Sequence, residues 1–241
     1  MLTNLDDALT FLKQFHAPAL EKVSSLVIRN DNIPTGLRKV YEVFGKPDQK
    51  YGPINGQDSL SGPEDLKPVD GFIHFLSENQ ACWSCAFKED GGDDPAVYLF
   101  EDDEEPIMQS DSLEEFLITF LLQESVMTTS HLATQEDGLS AEGALNIPVE
   151  PLWLEAIYSR EGPTHWFYKT ENPQILIMRF DGDYAPWLWL ASYEDRWEEV
   201  LRPCEEGFVV AGSSAGEETR VARLKPEKKK KRLPKWLRWL E

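Results

Sequence analysis

Three cysteines in 241 residues are too few for a disulfide framework. Two of them sit in Cys82-Trp83-Ser84-Cys85 at C-x-x-C spacing, yet the flanking residues read as strand. Residues three apart on a strand point to opposite faces, so this pair neither bridges nor shares a metal. Cys204 is a lone third thiol, short of the cysteine set of a structural zinc site. No apolar run reaches the roughly 18 residues of a membrane-crossing helix. The opening Met1-Leu2-Thr3-Asn4-Leu5-Asp6-Asp7 has neither the basic nor the apolar region of a secretory signal. These absences predict a reduced, cytoplasmic protein.

Signatures of catalysis are missing as well. There is no G-x-S-x-G elbow, phosphate loop or dinucleotide fingerprint, and His16, His74, His131 and His165 stand in no HExxH relation. Asp90-Gly91-Gly92-Asp93-Asp94 departs from the D-x-[DN]-x-[DN]-G register of a calcium loop. The expectation is a non-enzymatic chain with no catalytic residue, metal or cofactor. A hydrolase would need an acid/base pair hidden among the many carboxylates.

Basic residues are scarce until the end. From Arg220 to Glu241 there are ten Lys/Arg and two Asp/Glu, which leaves fourteen basic against forty-one acidic residues on 1–219, a balance of −27. Such a body repels nucleic acid and anionic lipid and attracts basic partners over a Debye length of about 8–10 Å. Between Glu89 and Glu115 there are twelve carboxylates and no Lys or Arg, including Glu101-Asp102-Asp103-Glu104-Glu105.

What is present is ordinary for a globular chain, with 41% hydrophobic and 28% charged residues. Leu5, Ala8, Leu9, Leu12 and Phe15 predict a helix over 5–15 capped by Thr3 or Asn4. Leu20, Val23, Leu26 and Val27 suggest a short second helix. Leu37, Val40, Tyr41 and Phe44 predict a third, ended by Gly45 and Pro47. Residues 51–70 read as an irregular connection. Strands are predicted at 72–77, 81–87 and 97–100, and a helix starts at Ser112 with Leu113, Phe116, Leu117, Phe120 and Leu121 buried. Residues 129–147 read as a linker. Further strands fall at 165–169, 174–180 and 184–191, the last two joined by Asp181-Gly182-Asp183. Trp187 and Trp189 share one face of the last strand, and a short helix opens with the capping box Ser192-x-x-Asp195. The fold class is α+β. The divisions are a domain at 1–128, the linker, a strand-rich part at 148–219 and a basic tail at 220–241.

Ile33-Pro34-Thr35-Gly36-Leu37 with Tyr41, Phe44 and Gly45 forms one motif, and Glu78-Asn79-Gln80 with Trp83 a second. Asp94-Pro95 with Val97, then Leu113 with Phe116 and Leu117, follow in order. In that order and spacing the chain resembles the SUKH superfamily, which joins fungal cell-wall assembly regulators to many bacterial immunity proteins. The resemblance covers about residues 18–128 and is weaker over 153–201; Ala96 stands where a second proline is common in the family. It implies helices packed on an antiparallel sheet with a strand-rich extension, no catalytic centre, and use as a binding scaffold, often as the antidote to a toxin.

The function expected on these grounds is stoichiometric binding of a basic toxin by an immunity protein. The alternative is an intracellular adaptor or regulator. The residues expected at the partner interface are Trp83, Asp93, Asp94, Glu101, Asp102, Asp103, Glu104 and Glu105. In the tail, Lys228, Lys229, Lys230, Lys231 and Arg232 precede a stripe of Trp236, Leu237, Trp239 and Leu240. That pattern suits weak contact with an anionic membrane surface, or folding back on the acidic body.

Overall fold

The first apolar stripe becomes helix α1 (Leu5–Phe15), whose buried residues are the five at helical spacing. Asn4 caps it, its side chain accepting from the Asp7 amide at 2.9 Å. The computed structural model describes residues 1–21, 23, 26, 28, 33–45, 54, 56–101, 105–135, 140–156, 164–181, 186–202, 208–212 and 220–222. A single turn, α2 (Ala17–Leu20), is followed by α3 (Thr35–Phe44), where Leu37, Val40, Tyr41 and Phe44 are all buried. Gly45 ends α3 with φ at 77°, a conformation that favours glycine.

The first sheet contains β1 (Ser59–Leu60), β2 (Pro68–Val69), β3 (Phe72–Ser77), β4 (Trp83–Lys88), β5 (Val97–Glu101) and β6 (Ile107–Ser110). It is antiparallel in the order β1-β3-β4-β5-β6, with β2 also on β3. The expectation of an irregular connection over 51–70 is corrected here, because β1 and β2 lie in it. Asp70 (φ 50°) and Gly71 (φ 83°) make the tight turn from β2 to β3, the backbone that a two-residue hairpin demands.

Helix α4 (Leu113–Thr128) comes next, with Ser112 as its cap, accepting from the Glu115 amide at 3.2 Å. The chain then forms β7 (His131–Gln135), α5 (Ala141–Ala144), β8 (Glu150–Ala156), β9 (Thr164–Lys169), β10 (Leu176–Asp181) and β11 (Pro186–Ser192). It closes with α6 (Trp197–Val200), β12 (Phe208–Gly212) and β13 (Arg220–Ala222). The second sheet runs β13-β12-β7-β11-β10-β9-β8. The reading of 129–147 as a linker is therefore corrected: β7 is an interior strand, paired with β11 and β12. The Ser192 capping box is also corrected. Its hydroxyl accepts from the Glu194 amide at 3.1 Å, and no side chain caps α6.

Helix α4 lies between the two sheets. Phe116 meets Phe75 of the first sheet edge-on at 5.7 Å, and Trp153 of the second donates its indole N–H to Thr119 Oγ1 at 3.1 Å. Helices α1 and α3 pack on α4 as well. Twelve of its residues are consequently buried, on every side of the helix rather than on one stripe. One core joins α1, α3, α4, the inner face of the first sheet and Leu152, Phe167, Leu176 and Met178 of the second. A smaller core on the far face of the second sheet holds Ile177, Leu188 and Leu190 against Trp197, Val200 and Leu201 around α6. The fold is α+β.

Candidate functional site

The first sheet has one face on the core and one face of a different kind. Ile73, Phe75, Cys85, Phe87 and Val97 point inward and are buried. On the opposite face, period-two alternation places Phe72, His74, Ser84, Ala86, Tyr98 and Phe100. Phe72, His74, Tyr98 and Phe100 are half-buried and belong to neither core. Their rings hold one another. Phe72 meets Tyr98 at 5.5 Å and Phe100 at 5.0 Å, both edge-on, and His74 meets Phe100 at 4.7 Å. The Lys88 ammonium lies over the Tyr98 ring at 5.5 Å. His74 Nδ1 is 3.0 Å from Ser84 Oγ, and partial burial lowers its pKa below the ordinary histidine value.

The described acids of the run fall into two groups. Glu89, Asp90, Asp93 and Asp94 occupy the β4–β5 connection, whereas Glu101 ends β5 opposite Trp83 and exposed Glu105 precedes β6. The two groups stand about 13 Å apart, the length of β5. Aromatic rings lie between them. The expected interface is corrected in two further respects. Trp83 is half-buried against the main core, on the inward-pointing side of β4 with Cys85 and Phe87. Asp93 and Asp94 are exposed, but each commits an oxygen to a helix N-terminus. Asp93 Oδ1 accepts from the Thr35 amide at 2.8 Å and Asp94 Oδ1 from the Glu114 amide at 2.9 Å. Asp102, Asp103 and Glu104 lie outside the described residues, as do Lys228, Lys229, Lys230, Lys231, Arg232, Trp236 and Trp239.

These two aspartates tie the β4–β5 loop to α3 and α4, where the positive end of each helix favours an anion. The Thr35 backbone and hydroxyl hold the Asp93 carboxyl below the usual carboxylate range. Asp93→Ala and Asp94→Ala are each expected to lower the thermal midpoint by about 2–4 °C, as loss of a cap does. Glu89→Ala and Asp90→Ala should leave it unchanged. Thermal unfolding of the four variants checks the distinction between caps and free carboxylates.

A cleft of about 400 Å³ opens beside this loop, between the entry to α3 and the β2 edge. Leu66, Pro68, Ile73 and Phe87 line it, with exposed Glu89 and Asp90 at its mouth. Ile33, Pro34 and Gly92 complete the lining, which mixes apolar side chains with polar atoms.

Other groups with chemical potential are enclosed. His16 Nε2 lies 2.7 Å from Ser125 Oγ, the separation of a base and a nucleophile, but both residues are fully buried. The Ser125 hydroxyl donates to Leu121 O at 2.6 Å, so His16 Nε2–H donates to Ser125 and Nδ1 accepts from Tyr193 at 2.7 Å. The pair is a structural link between α1, α4 and the end of β11. Cys82 is exposed before β4 and Cys85 is buried within it, with its thiol pKa pushed up by that burial. Among the described residues no three of His, Cys, Asp and Glu come together as a metal site, and no helix is long and apolar enough to cross a membrane.

Sequence reasoning passed over Phe72, His74, Tyr98 and Phe100. A signal existed: Phe72-Ile73-His74-Phe75 and Val97-Tyr98-Leu99-Phe100 carry large apolar side chains at nearly every position, not at alternate ones. Comparison with family models, with curated proteins and with solved structures yields no match for this chain.

Proposed function

We propose that this chain is a SUKH-type, non-enzymatic binding module, an immunity protein that neutralises a basic toxin by covering it with the outer face of its first sheet. The observation that carries this reading is the ring cluster of Phe72, His74, Tyr98 and Phe100 with carboxylates at both ends of the sheet. Aromatic side chains grouped and partly exposed on one face supply large contact area at small entropic cost and are enriched at interface centres. Glu89 and Asp90 at one end and Glu101 and Glu105 at the other suit a partner whose arginines and lysines are spread around an apolar centre. Lys88 over Tyr98 has the geometry that a partner's cation would adopt on Phe72 or Phe100.

The test is affinity capture of the tagged full chain from its native lysate at about 0.15 M salt, where exposed ion pairs are screened. The expected outcome is one basic partner in stoichiometric yield whose toxicity is suppressed on co-expression. Phe100→Ala, with its thermal midpoint measured alongside, should weaken that complex by about 30-fold, as a central aromatic does. Glu101→Lys should slow association by about tenfold at low salt with little effect on dissociation. A partner insensitive to both changes, or recovery of membrane fragments alone, would overturn the reading in favour of another face or of an adaptor.

A further inference from the structure

We infer that residues 56–58 form a strap across the last turns of α4 that ionisation of Glu124 lifts, while the chain on either side stays in place. This holds whether or not the ring cluster of the first sheet binds a toxin.

The strap runs between two fixed points. Ile54 before it and Leu60 after it are both buried in the main core. Past the second point, Leu60 pairs with Leu76 of β3, and the Ser61 amide donates to Phe75 O at 2.8 Å. The Tyr41 hydroxyl donates to Ser61 O at 2.7 Å. Between the two points, all three amides converge on one side chain. Glu124 Oε2 accepts from Gly56 at 2.7 Å and Gln57 at 2.9 Å, and Oε1 from Asp58 at 3.1 Å. Gly56 is exposed and has no side chain to hold it down, and Gln57 is half-buried. Glu124 beneath them is fully buried, so the strap lies between the carboxylate and water.

Seated, the strap keeps water from Glu124, which disfavours the anion, and Asp58 beside it adds like charge. The three amides favour the anion without overcoming both effects, and the group titrates at about 7. Cys85 of β4 and Tyr41 of α3 are held protonated by burial and offset nothing. His16 of α1 and Tyr193 at the end of β11, bonded around Ser125, are likewise neutral. Lifting the strap hydrates Glu124 and Asp58 together and leaves Ile54 and Leu60 in the core. An ionised Glu124 is relieved by giving up three hydrogen bonds, far less than unfolding requires. With a lifted carboxylate titrating at its ordinary 4.5, the ratio of lifted to seated strap rises about tenfold between pH 6 and pH 8.

Native-state hydrogen exchange of the full chain, read amide by amide by NMR, separates lifting from unfolding. Protection factors, which remove the intrinsic rate at each pH, should fall about tenfold from pH 6 to pH 8 for Gly56, Gln57 and Asp58. Exchange at these amides should not respond to urea up to about 1 M, because lifting exposes little surface. Exchange at Ser61 and at Phe120 of α4 should quicken with urea. Glu124→Gln, which cannot ionise, should abolish the fall at the strap. Asp58→Asn removes the opposing charge and should reduce the fall to about threefold, a second reading should the first variant fold poorly. A urea response at the strap equal to that of Phe120, or equal protection at the two pH values, would overturn the inference. So would a tenfold fall that persists in Glu124→Gln.

Discussion

Glu124→Ala is expected to destabilise the protein by about 3 kcal/mol, read from urea unfolding at neutral pH with the slope unchanged. Glu124 lies in the last turns of α4 and is fully buried. Its Oε2 accepts from the Gly56 amide at 2.7 Å and the Gln57 amide at 2.9 Å, and its Oε1 from the Asp58 amide at 3.1 Å. Three successive amides thus converge on one carboxylate and fasten the chain before β1 to the central helix. Gly56 is needed for the approach, since a Cβ there would stand 2.2 Å from Thr128 Cγ2. Removing the carboxylate orphans three donors and opens a void at the helix surface. Those of Gly56 and Gln57 regain water because the loop is partly open, which keeps the cost below three full desolvation penalties. Glu124→Gln keeps the shape and two acceptor sites, and should cost about 1–2 kcal/mol.

The second large effect is in the pH dependence, where Glu124 and His16 oppose one another. Burial raises the Glu124 pKa from 4.5 to about 7, against the pull of the three amides. The folded state therefore holds a proton that the unfolded chain releases above about 4.5. This contribution is full below that pH and is lost as pH rises through 7, by about 3 kcal/mol in all. Burial lowers the His16 pKa from 6.5 to about 3, because its ring sits among Phe15, Phe44 and Tyr193 with both nitrogens engaged. Here the unfolded chain binds the proton first. The contribution is full above 6.5 and is lost as pH falls toward 3, by about 4–5 kcal/mol.

Between about 4.5 and 6.5 the two slopes cancel, so the pair predicts a plateau there with decline on either side. Glu124→Gln should remove the alkaline decline and turn the plateau into a rise of about 3 kcal/mol between pH 4.5 and 6.5, since the His16 slope then stands alone. His16→Gln should do the reverse, and it should also lose about 3 kcal/mol throughout for its aromatic contacts and hydrogen bonds. Unfolding free energies from pH 4 to pH 8 for the three proteins check both signs. A curve for either variant parallel to that of the unmodified protein would refute the assignment of that slope.

Local elements were legible in proportion to how strictly their residues repeat. Leu37, Val40, Tyr41 and Phe44 mark one helix face because α3 is covered on one side only, and Ser112 and Asn4 mark helix starts because a short oxygen must meet an orphan amide there. Helix α4 was half-legible. Its buried stripe was apparent, but Ile118, Leu122 and Val126 on its other sides are buried only because a second sheet lies there. Strand β7 was illegible: His131-Leu132-Ala133-Thr134-Gln135 has little large apolar surface, and its place between β11 and β12 rests on backbone hydrogen bonds and small side chains. The short β2 was missed for a different reason. Asp70-Gly71 is a hairpin signal, but a two-residue strand offers no period to support it.

The candidate site divides in the same way. Composition and order alone determine the −27 body, the basic segment after it, the acid-rich connections and the helix that follows, because charge counts and local caps do not depend on distant neighbours. Which acids are available and which rings lie outside the cores depended on the assembled fold. Asp93 and Asp94 look like their neighbours in sequence, yet they meet Thr35, 58 residues from Asp93, and Glu114, 20 residues from Asp94. Trp83 turns inward and Phe100 outward because hairpin register assigns alternate residues to opposite faces, and the inward face is chosen by where α4 packs. Glu124 and His16 likewise acquire their shifted protonation only from enclosure, since desolvation is a property of the packed interior and not of the residue.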